Sequence, residues 1–493
     1  MTDLAGALAI CALVAPVAGA AAIATARTPR AADRLNIGSA AVTATVGLVL
    51  AVIALEAAPA EAATGSWYVV DASSGVFLAL ISVIGLATAM ASPSYLRHSG
   101  RSWFSARGSR IFYYASLHLF WAALIAVPLV DNLAVAWLAV EATTAASALL
   151  VAFSGKHSAL EAGWKYVVLT SLGLAVALLG IVVLYVAVGG EPGLSRLDWR
   201  TIERSAPTLP GESTLVGFLL LVVGLATKIG WAPVHNWLPD AHSEAPPPIS
   251  AMLSAALLPT VLLVAWRAKT ALEPALGTDT VQAVFIAFGL ASLLVSIPFL
   301  WRPLPWKRLL AYSSLEHMGI LALGIAFNTP LAIAGVVLHV AGHGLAKSLG
   351  FYAAGPLLRS DASRGDRPSR GVARSEPATA VAMAVSLTAL AGLPPSPLFI
   401  SELMIVLGGI DAGLLAVSAI AVVLIALGFL GLAHALLDGL LGPTVREARP
   451  PSRTTRRIGA LAGVTAAGLI ALSGLAYALP ESGIVEALTG GGA

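Results

Sequence analysis

The chain has 493 residues, of which 58% are apolar and only 11% are Asp, Glu, Lys or Arg. A soluble domain carries about 25% charged residues, and a mean hydropathy of +0.86 leaves too little polar surface to cover a water-facing body of this size. The composition therefore places the chain in a lipid bilayer and excludes a cytosolic enzyme, a disordered scaffold and a secreted disulfide domain.

Fourteen apolar segments follow one another, each near the roughly 20 residues that cross a hydrocarbon core as a helix. The first begins near Met1 without the basic region of a signal peptide, so we predict that it spans the membrane. A β-barrel would show short alternating segments, and the predicted fold is an all-α polytopic membrane protein. The segments are 4–26, 36–58, 72–92, 111–130, 132–153, 161–189, 214–238, 246–270, 276–300, 304–326, 330–356, 375–410, 412–438 and 457–479.

Cys11, within the first segment, is the single cysteine. One cysteine supplies no disulfide, no iron–sulfur ligation and no c-type haem attachment. We therefore expect this chain to bind no redox cofactor, and any electrons to travel through other proteins.

Lysine and arginine are unequally shared between alternate loops. One set of loops carries most of the 29 basic residues, in groups at 27–34, 97–110, 156, 302–308, 359–374 and 446–457. The opposite set holds Arg196, Arg200, Arg204, Arg267 and Lys269. The positive-inside rule places the first set in the cytoplasm and both termini outside, in a cell membrane. This pattern explains the net charge of +3, and we expect no nucleic-acid partner.

The seventh and twelfth segments are interrupted in a similar way. The seventh contains Gly224-Leu-Ala-Thr-Lys228-Ile-Gly-Trp-Ala-Pro233, and the twelfth contains Ala391-Gly-Leu-Pro-Pro-Ser-Pro-Leu-Phe-Ile-Ser-Glu402. Glycine and proline in mid-span break a helix, and two such breaks five segments apart are typical of an inverted-repeat transporter core. Ordinary proline kinks are the alternative, with about equal weight.

Ionisable residues inside the segments are concentrated in the fifth to the twelfth. Placing one at the centre of a spanning helix costs about 2.5–3.5 kcal/mol, so each indicates a function or a buried partner. They are Glu141, Lys165, Lys228, Glu316, His317, His339, His343, Lys347 and Glu402.

The eleventh segment carries His339, His343 and Lys347 at a spacing of four residues, which places them on one helix face. Groups that titrate near neutrality, about 6 Å apart along a helix, are suited to a proton relay. Histidines that only fill a packed core are the alternative. A zinc site is not predicted, because no third and fourth ligands accompany the pair at the usual spacing.

Lys228 is the candidate for a proton-holding lysine, because a neighbouring Glu141 at a changing distance would switch it between holding and releasing a proton. A static ion pair that fixes helix packing is the alternative.

Lys165 lies near a segment end, from which its side chain can reach the surface. The polar turn with Asp240, His242 and Glu244 is either a cytoplasmic proton entrance or a cap of the eighth helix.

Four linked motifs stand out along the chain. They are Trp137-Leu-Ala-Val-Glu141-Ala-Thr-Thr, Lys228-Ile-Gly-Trp-Ala-Pro-Val-His-Asn-Trp-Leu-Pro-Asp-Ala-His-Ser-Glu-Ala-Pro-Pro-Pro-Ile-Ser-Ala, Ser-Ser-Leu-Glu316-His317-Met-Gly and Pro394-Pro-Ser-Pro-Leu-Phe-Ile-Ser-Glu402. Together they resemble the antiporter-like, proton-conducting membrane subunits of complex I, cation/proton antiporters and membrane-bound nickel–iron hydrogenases. The resemblance covers roughly 110–410, and within that superfamily it is strongest to the smaller antiporter-like subunit of the hydrogenase 4 and formate hydrogenlyase type.

The resemblance implies fourteen helices with two inverted five-helix repeats and broken seventh and twelfth helices. The implied units are helices one to three (1–110), a first repeat (111–270), a second repeat (271–440) and a C-terminal helix with its tail (441–493). By the same resemblance Glu141 and Lys228 are the ion pair of the first half-channel, Lys347 with its two histidines is the central relay, and Glu402 serves the second broken helix.

One departure from that family stands in the eighth helix, where many relatives have a lysine and this chain has Pro259. Water can bridge the gap, Glu316 and His317 can carry more of the path, or conduction is impaired.

The implied function is a non-catalytic, proton-translocating subunit of a hydrogenase-type oxidoreductase. Its partners are expected to be the bilayer, protons and other subunits, which hold any nickel–iron and iron–sulfur centres. A sodium/proton antiporter subunit, a complex I subunit and a purely structural anchor are the alternatives.

Overall fold

A computed structural model describes residues 2–57, 63–65, 67–98, 107–190, 192–361, 370–443 and 453–489 of the chain. Within these ranges the structure is almost entirely helical, as predicted. The N-terminal helices are α1 (Thr2–Ala24), α2 (Pro29–Glu56) and α3 (Ala72–His98). A two-stranded antiparallel hairpin of β1 (Ala63–Thr64) and β2 (Val69–Val70) precedes α3.

The middle of the chain holds the helices that carry most of the ionisable residues. They are α4 (Arg107–Leu129), α5 (Leu133–Val151), α6 (His157–Val188), the short α7 (Trp199–Ser205), α8 (Gly211–Ile229), the short α9 (Leu238–Glu244), α10 (Pro247–Leu276), α11 (Thr278–Leu300) and α12 (Trp306–Phe327). A π-helical turn at Leu253–Leu257 lies inside α10.

The C-terminal part continues the same architecture. Its helices are α13 (Pro330–Asp361), the short α14 (Val372–Ser375), α15 (Pro377–Leu390), α16 (Pro397–Asp411), α17 (Leu415–Leu441), α18 (Arg453–Leu475) and the short α19 (Gly483–Thr489). Some arginines of the predicted basic loops lie outside the described residues, namely Arg101, Arg364, Arg367, Arg446 and Arg449.

Thirteen helices of the described residues are long and apolar enough to cross a membrane. They match thirteen of the fourteen predicted segments. The remaining segment, 375–410, consists of the two shorter helices α15 and α16, separated by the predicted break. The all-α polytopic fold class and the broken seventh and twelfth segments are therefore confirmed.

The two breaks have similar backbone structures. α8 ends before Gly230, whose φ of 82° is left-handed, and the amide of Trp231 donates to the carbonyl of Ala226. α15 ends before Gly392, with φ of 66°, and the amide of Leu393 donates to the carbonyl of Thr388. A left-handed residue favours glycine because a Cβ would be strained there, so glycine sets the position of both helix ends.

The centre of the molecule is formed by α10 and α12, whose apolar stretches are completely buried. α13 is mostly buried, whereas α17 and α18 are mostly exposed and present large apolar side chains outward. Outward apolar side chains are expected of a surface in contact with lipid tails. The two helices that carry Glu316, the three histidines and Lys347, α12 and α13, are therefore shielded from lipid.

Two sequence-based assignments need correction. Arg267 and Lys269 were counted among loop residues, but they lie in the C-terminal part of α10. Each is paired there with an acid, Arg267 with Asp71 at 3.1 Å and Lys269 with Glu273 at 2.8 Å. The polar stretch with Asp240, predicted as a turn, is the short helix α9.

Candidate functional site

Lys228, in the last turn of α8, is completely buried among hydroxyl groups. Its Nζ donates to Thr144 Oγ1 at 2.7 Å and to the hydroxyl of Tyr166, and it lies 4.3 Å from the centre of the Tyr166 ring. The Tyr166 hydroxyl is in turn 2.8 Å from Ser147 Oγ. We call Thr144, Ser147 and Tyr166 the hydroxyl cage; it supplies the hydrogen bonds that a buried ammonium group requires.

Glu141 lies on the same helix as Thr144, one turn earlier, but forms no ion pair with Lys228 within 4.0 Å in the described structure. Its Oε1 accepts from Ser171 Oγ at 2.6 Å, and its buried Oε2 has no hydrogen-bond partner among the described residues. The predicted pair of Glu141 and Lys228 is therefore not in contact in this structure, where hydroxyl groups hold the lysine. The relative shift and rotation of α5 and α8 decide which side chains reach Lys228, and these cannot be deduced from the sequence.

Three histidines meet between α12 and α13. His317 Nδ1 lies 3.0 Å from His339 Nε2, and His339 Nδ1 lies 2.9 Å from Ser401 Oγ of α16. The His343 ring is 5.2 Å from that of His317, and neither of its nitrogens has a hydrogen-bond partner among the described residues. All three rings are completely buried.

The carboxylate of Glu402 joins this group from α16. One oxygen of Glu402, one nitrogen of His317 and one nitrogen of His339 all lie within 4.8 Å of one another. We call His317, His339, His343 and Glu402 the central cluster. Its members come from three helices, and the sequence spacing predicted contact along one helix face only for His339 and His343.

Lys347, one turn beyond His343, is completely buried in α13. Its Nζ donates to the carbonyl of Leu310 at 2.7 Å and to Ser313 Oγ, both on α12. Glu316 is also buried on α12, and its Oε2 has no hydrogen-bond partner among the described residues.

Pro259 is buried in α10. No ionisable residue occurs in α10 before Arg267. The polar contact that α10 makes with α12 is a pair of hydroxyls, Ser254 Oγ and Ser314 Oγ, 2.7 Å apart. Each hydroxyl of such a pair can both donate and accept a hydrogen bond.

Lys165 and Asp240 lie at the surface. Lys165 Nζ is 2.6 Å from Glu161 and 3.7 Å from Asp240, which also pairs with Arg308 at 3.1 Å. The Lys165 side chain is 41% exposed, as its position near a segment end allowed. His242, two residues from Asp240, is instead buried, with Nδ1 2.9 Å from the carbonyl of Leu238.

A second cluster of charged residues was not predicted from the sequence. Arg267 lines a cavity of about 220 Å³ together with Asp71, Asp131, Arg200 and Glu203, and we call it the Arg267 cavity. Burial and then the charge of Asp198 raise the pKa of Asp131 to about 6. Burial also raises the pKa of Asp71, but Arg267 and the hydrogen bonds from Ser74 and Ser73 outweigh it and leave that pKa below its ordinary value. The sequence signal that could have indicated this cluster is the charged residues at the ends of several predicted segments.

A bundle of this kind, with broken helices and a buried row of lysines, histidines and carboxylates, defines a polytopic transport-type membrane protein. The family model described as NADH:quinone oxidoreductase/Mrp antiporter, TM matches residues 130–428. The chain belongs to this family, and its resemblance to the antiporter-like subunits is thereby confirmed.

Named relatives agree with this assignment. A Hydrogenase-4 component F homolog of Methylacidiphilum infernorum is 33% identical over 373 residues, which cover 74% of this chain and 78% of the relative. NADH-quinone oxidoreductase subunit N of Desulforudis audaxviator is 29% identical over 395 residues, which cover 79% of this chain and 76% of the relative.

The fold is also similar to a chain of the membrane-bound sulfane sulfur reductase, an archaeal respiratory membrane complex. The TM-score is 0.83 at 19% identity, over 99% of this chain and 97% of the other. The family match and the apolar helices together make the chain a multi-pass, antiporter-like membrane protein.

Proposed function

We propose that this protein carries protons through the membrane along its buried ionisable residues, as a subunit of a hydrogenase-type oxidoreductase complex. The observation that carries the proposal is the central cluster, in which imidazoles from two helices lie 3.0 Å apart in the lipid-shielded core. A proton can pass between groups at hydrogen-bond distance without further motion of the helices.

The route begins at Glu141 and Lys228 in the first half. There the hydroxyl cage offers Lys228 hydrogen-bond partners, and Ser171 holds the Glu141 carboxylate. In the second half the route runs through Lys347, His343, His339 and His317 to Glu402. The Ser254–Ser314 hydroxyl pair is proposed to serve the part of the path where relatives place a lysine at Pro259, together with Glu316 of α12.

The exposed ion pairs of Lys165 and Asp240 are proposed to guide protons to one end of this route, with the buried His242 next to them. The Arg267 cavity is proposed to be the opposite end. It is lined by residues 69–73, 131, 199–203, 263–270 and 487–488, which come from segments that the charge pattern assigns to one side. This meeting of predicted outer segments supports a cell-membrane orientation with both termini outside.

The chain is proposed to consist of the N-terminal helices (1–110), two inverted five-helix repeats (111–270 and 271–440) and a C-terminal unit (441–493). The like hydrogen-bond patterns at Gly230 and Gly392 support a correspondence between the two repeats. Each repeat then contributes one broken helix to the proton route, as expected of inverted-repeat transporters.

Partner subunits are proposed to carry out the redox chemistry, because the relatives named above are components of hydrogenase-4 and NADH-quinone oxidoreductase. Nickel–iron and iron–sulfur centres are accordingly proposed to reside in those partners, and none in this chain. A complex I type of assembly is the nearest variant of this proposal.

A cation/proton antiporter subunit is the second candidate, since the description of the matching family also names the Mrp antiporter. Reconstitution of the purified complex in proteoliposomes separates the two. Our proposal predicts proton movement that starts with an electron donor and is unchanged when sodium is replaced by choline. Proton flux that requires sodium and no electron donor would contradict it.

A further inference from the structure

His317, His339 and Glu402 form a set of donors that differs in kind from a row of proton carriers. Two imidazole nitrogens and one carboxylate oxygen from three helices lie within 4.8 Å of one another in the core of the bundle. We propose that this set binds a transition-metal dication such as Zn²⁺, and that the bound ion blocks proton transfer; the second part rests on the proposed function.

The distances suit a tetrahedral ion. Zinc binds imidazole nitrogen at about 2.0–2.1 Å, which places two nitrogens of one tetrahedral site about 3.3 Å apart. His317 Nδ1 and His339 Nε2 are 3.0 Å apart. A few tenths of an ångström of movement therefore replace their mutual hydrogen bond by two bonds to one ion, and the flexible Glu402 side chain closes the third position.

The orientation of the His339 ring also suits a metal ligand. Its Nε2 faces the donor set, while Nδ1 lies 2.9 Å from Ser401 Oγ. Imidazoles that bind metal typically donate their other N–H to an oxygen, which fixes the ring and its tautomer. Ser401 and Glu402 are neighbours in α16, so one turn of helix provides both the holding group and the carboxylate.

His343 lies beside the donor set, outside the three groups that are mutually within 4.8 Å, and a rotation of its side chain would bring it to the fourth position. Its ring is 5.2 Å from that of His317, and both its nitrogens lack hydrogen-bond partners among the described residues. Imidazole-rich sets select zinc and copper, whereas magnesium, calcium and sodium prefer oxygen ligands. The proposed ligand is therefore a borderline transition-metal ion and not a transported alkali cation.

Coordination occupies the nitrogen lone pairs that would accept a proton. An ion on His317 and His339 removes the 3.0 Å step between α12 and α13, and adds two positive charges in a region of low dielectric constant. We therefore expect zinc to stop proton movement while electron transfer in the partner subunits continues.

The binding test uses radioactive zinc and the full-length protein in detergent. The proposal predicts one equivalent of zinc that is absent in His317→Gln and Glu402→Gln. Ser401→Ala keeps the ligands and is expected to bind zinc about tenfold more weakly. His118→Gln, which alters a buried histidine of α4, is the matched control and keeps the full equivalent. Unchanged zinc binding in both ligand variants would overturn the site.

Absorption spectroscopy at the zinc edge gives a readout that folding defects do not imitate. We expect the spectrum to show zinc bound by two or three imidazoles and an oxygen donor, with one imidazole fewer in His339→Gln. A spectrum of bound zinc without imidazole ligands would overturn the proposed site. Proteoliposomes treated with zinc then test separately whether the bound ion inhibits proton transfer. Full zinc binding without inhibition of proton uptake would overturn this part of the proposal. If the proposed proton route itself is wrong, the relay variants will take up protons normally in vesicles without zinc.

Discussion

His317 Nδ1 of α12 lies 3.0 Å from His339 Nε2 of α13. This contact connects the two helices in the fully buried centre of the bundle, and it links Lys347 on one side with Glu402 on the other. Nothing in the spacing along either helix requires it, and it gives the route a direct contact between two ionisable side chains of different helices.

The first prediction concerns this contact. Replacing His317 by Gln keeps a polar side chain of similar size but removes a group that both accepts and releases a proton. We expect proton uptake driven by the electron donor to fall by about 100-fold, measured with a pH-sensitive dye in proteoliposomes. His118→Gln is the matched control, since that buried histidine lies on α4, where its ring faces Gly19 of α1, and it is not one of the proposed relay residues.

Equal loss of proton uptake in His317→Gln and His118→Gln would contradict this prediction. Folding of both variants is checked by comparing their elution in detergent with that of the unaltered complex.

The second prediction concerns the hydroxyl cage. Tyr166→Phe removes the hydroxyl that accepts from Lys228 and contacts Ser147 Oγ at 2.8 Å. A buried group left with fewer partners costs about 1–3 kcal/mol, so we expect a lower unfolding temperature in detergent and slower proton uptake. Tyr477→Phe alters a tyrosine that is 93% exposed and should change neither. An unfolding temperature unchanged by Tyr166→Phe would contradict the assigned role.

The third prediction concerns the packing of Glu316 against α17. A Cβ added at Gly428 would overlap the Glu316 carboxylate. Overpacking of a core costs typically about 1–3 kcal/mol, and we expect Gly428→Ala to lower the unfolding temperature and to displace Glu316. Gly463→Ala, at a helical site with no neighbour within 4 Å, is the control and should be neutral or stabilising. Equal behaviour of the two variants would rule out close packing at Gly428.

The fourth prediction concerns pH and the Arg267 cavity. Burial and Asp198 raise the pKa of Asp131 from 3.8 to about 6. Between those values the native protein holds a proton that the unfolded chain has released, so this group contributes less stability as the pH rises. Asp131→Asn should therefore raise the unfolding temperature at pH 7 and have little effect at pH 4.

Unfolding followed in detergent from pH 4 to pH 8 tests this sign. Glu481→Gln, at an exposed carboxylate, is the control. A stabilisation by Asp131→Asn that is larger at pH 4 than at pH 7 would show that the carboxylate is favoured in its charged form.

Much of the fold was predictable because its signals are local. Long apolar segments indicated the spans, and glycine and proline near Lys228 and Pro394 indicated the two breaks. The four-residue spacing of His339 and His343 correctly predicted rings on one face, 6.4 Å apart. Backbone hydrogen bonding within each helix makes these features independent of the rest of the chain.

The contacts between helices were not predictable. The cage around Lys228 and the bond from Ser401 to His339 depend on how neighbouring helices are rotated and shifted, and serine and threonine carry little signal in an apolar sequence. The burial of Lys269 was missed although Glu273 follows it by four residues, the spacing of a helical ion pair. No zinc site was predicted from the spacing of ligands along the chain, and the donor set now proposed as one comes from three helices.

The most direct test of the central claim is the number of protons moved per electron by the reconstituted complex carrying Lys347→Ala or Glu402→Gln. Lys347 and Glu402 lie on α13 and α16, on either side of the histidine contact. We predict that electron transfer continues while the ratio of protons to electrons falls, with His118→Gln retaining the ratio of the unaltered complex. An unchanged ratio in both relay variants would contradict the proton route.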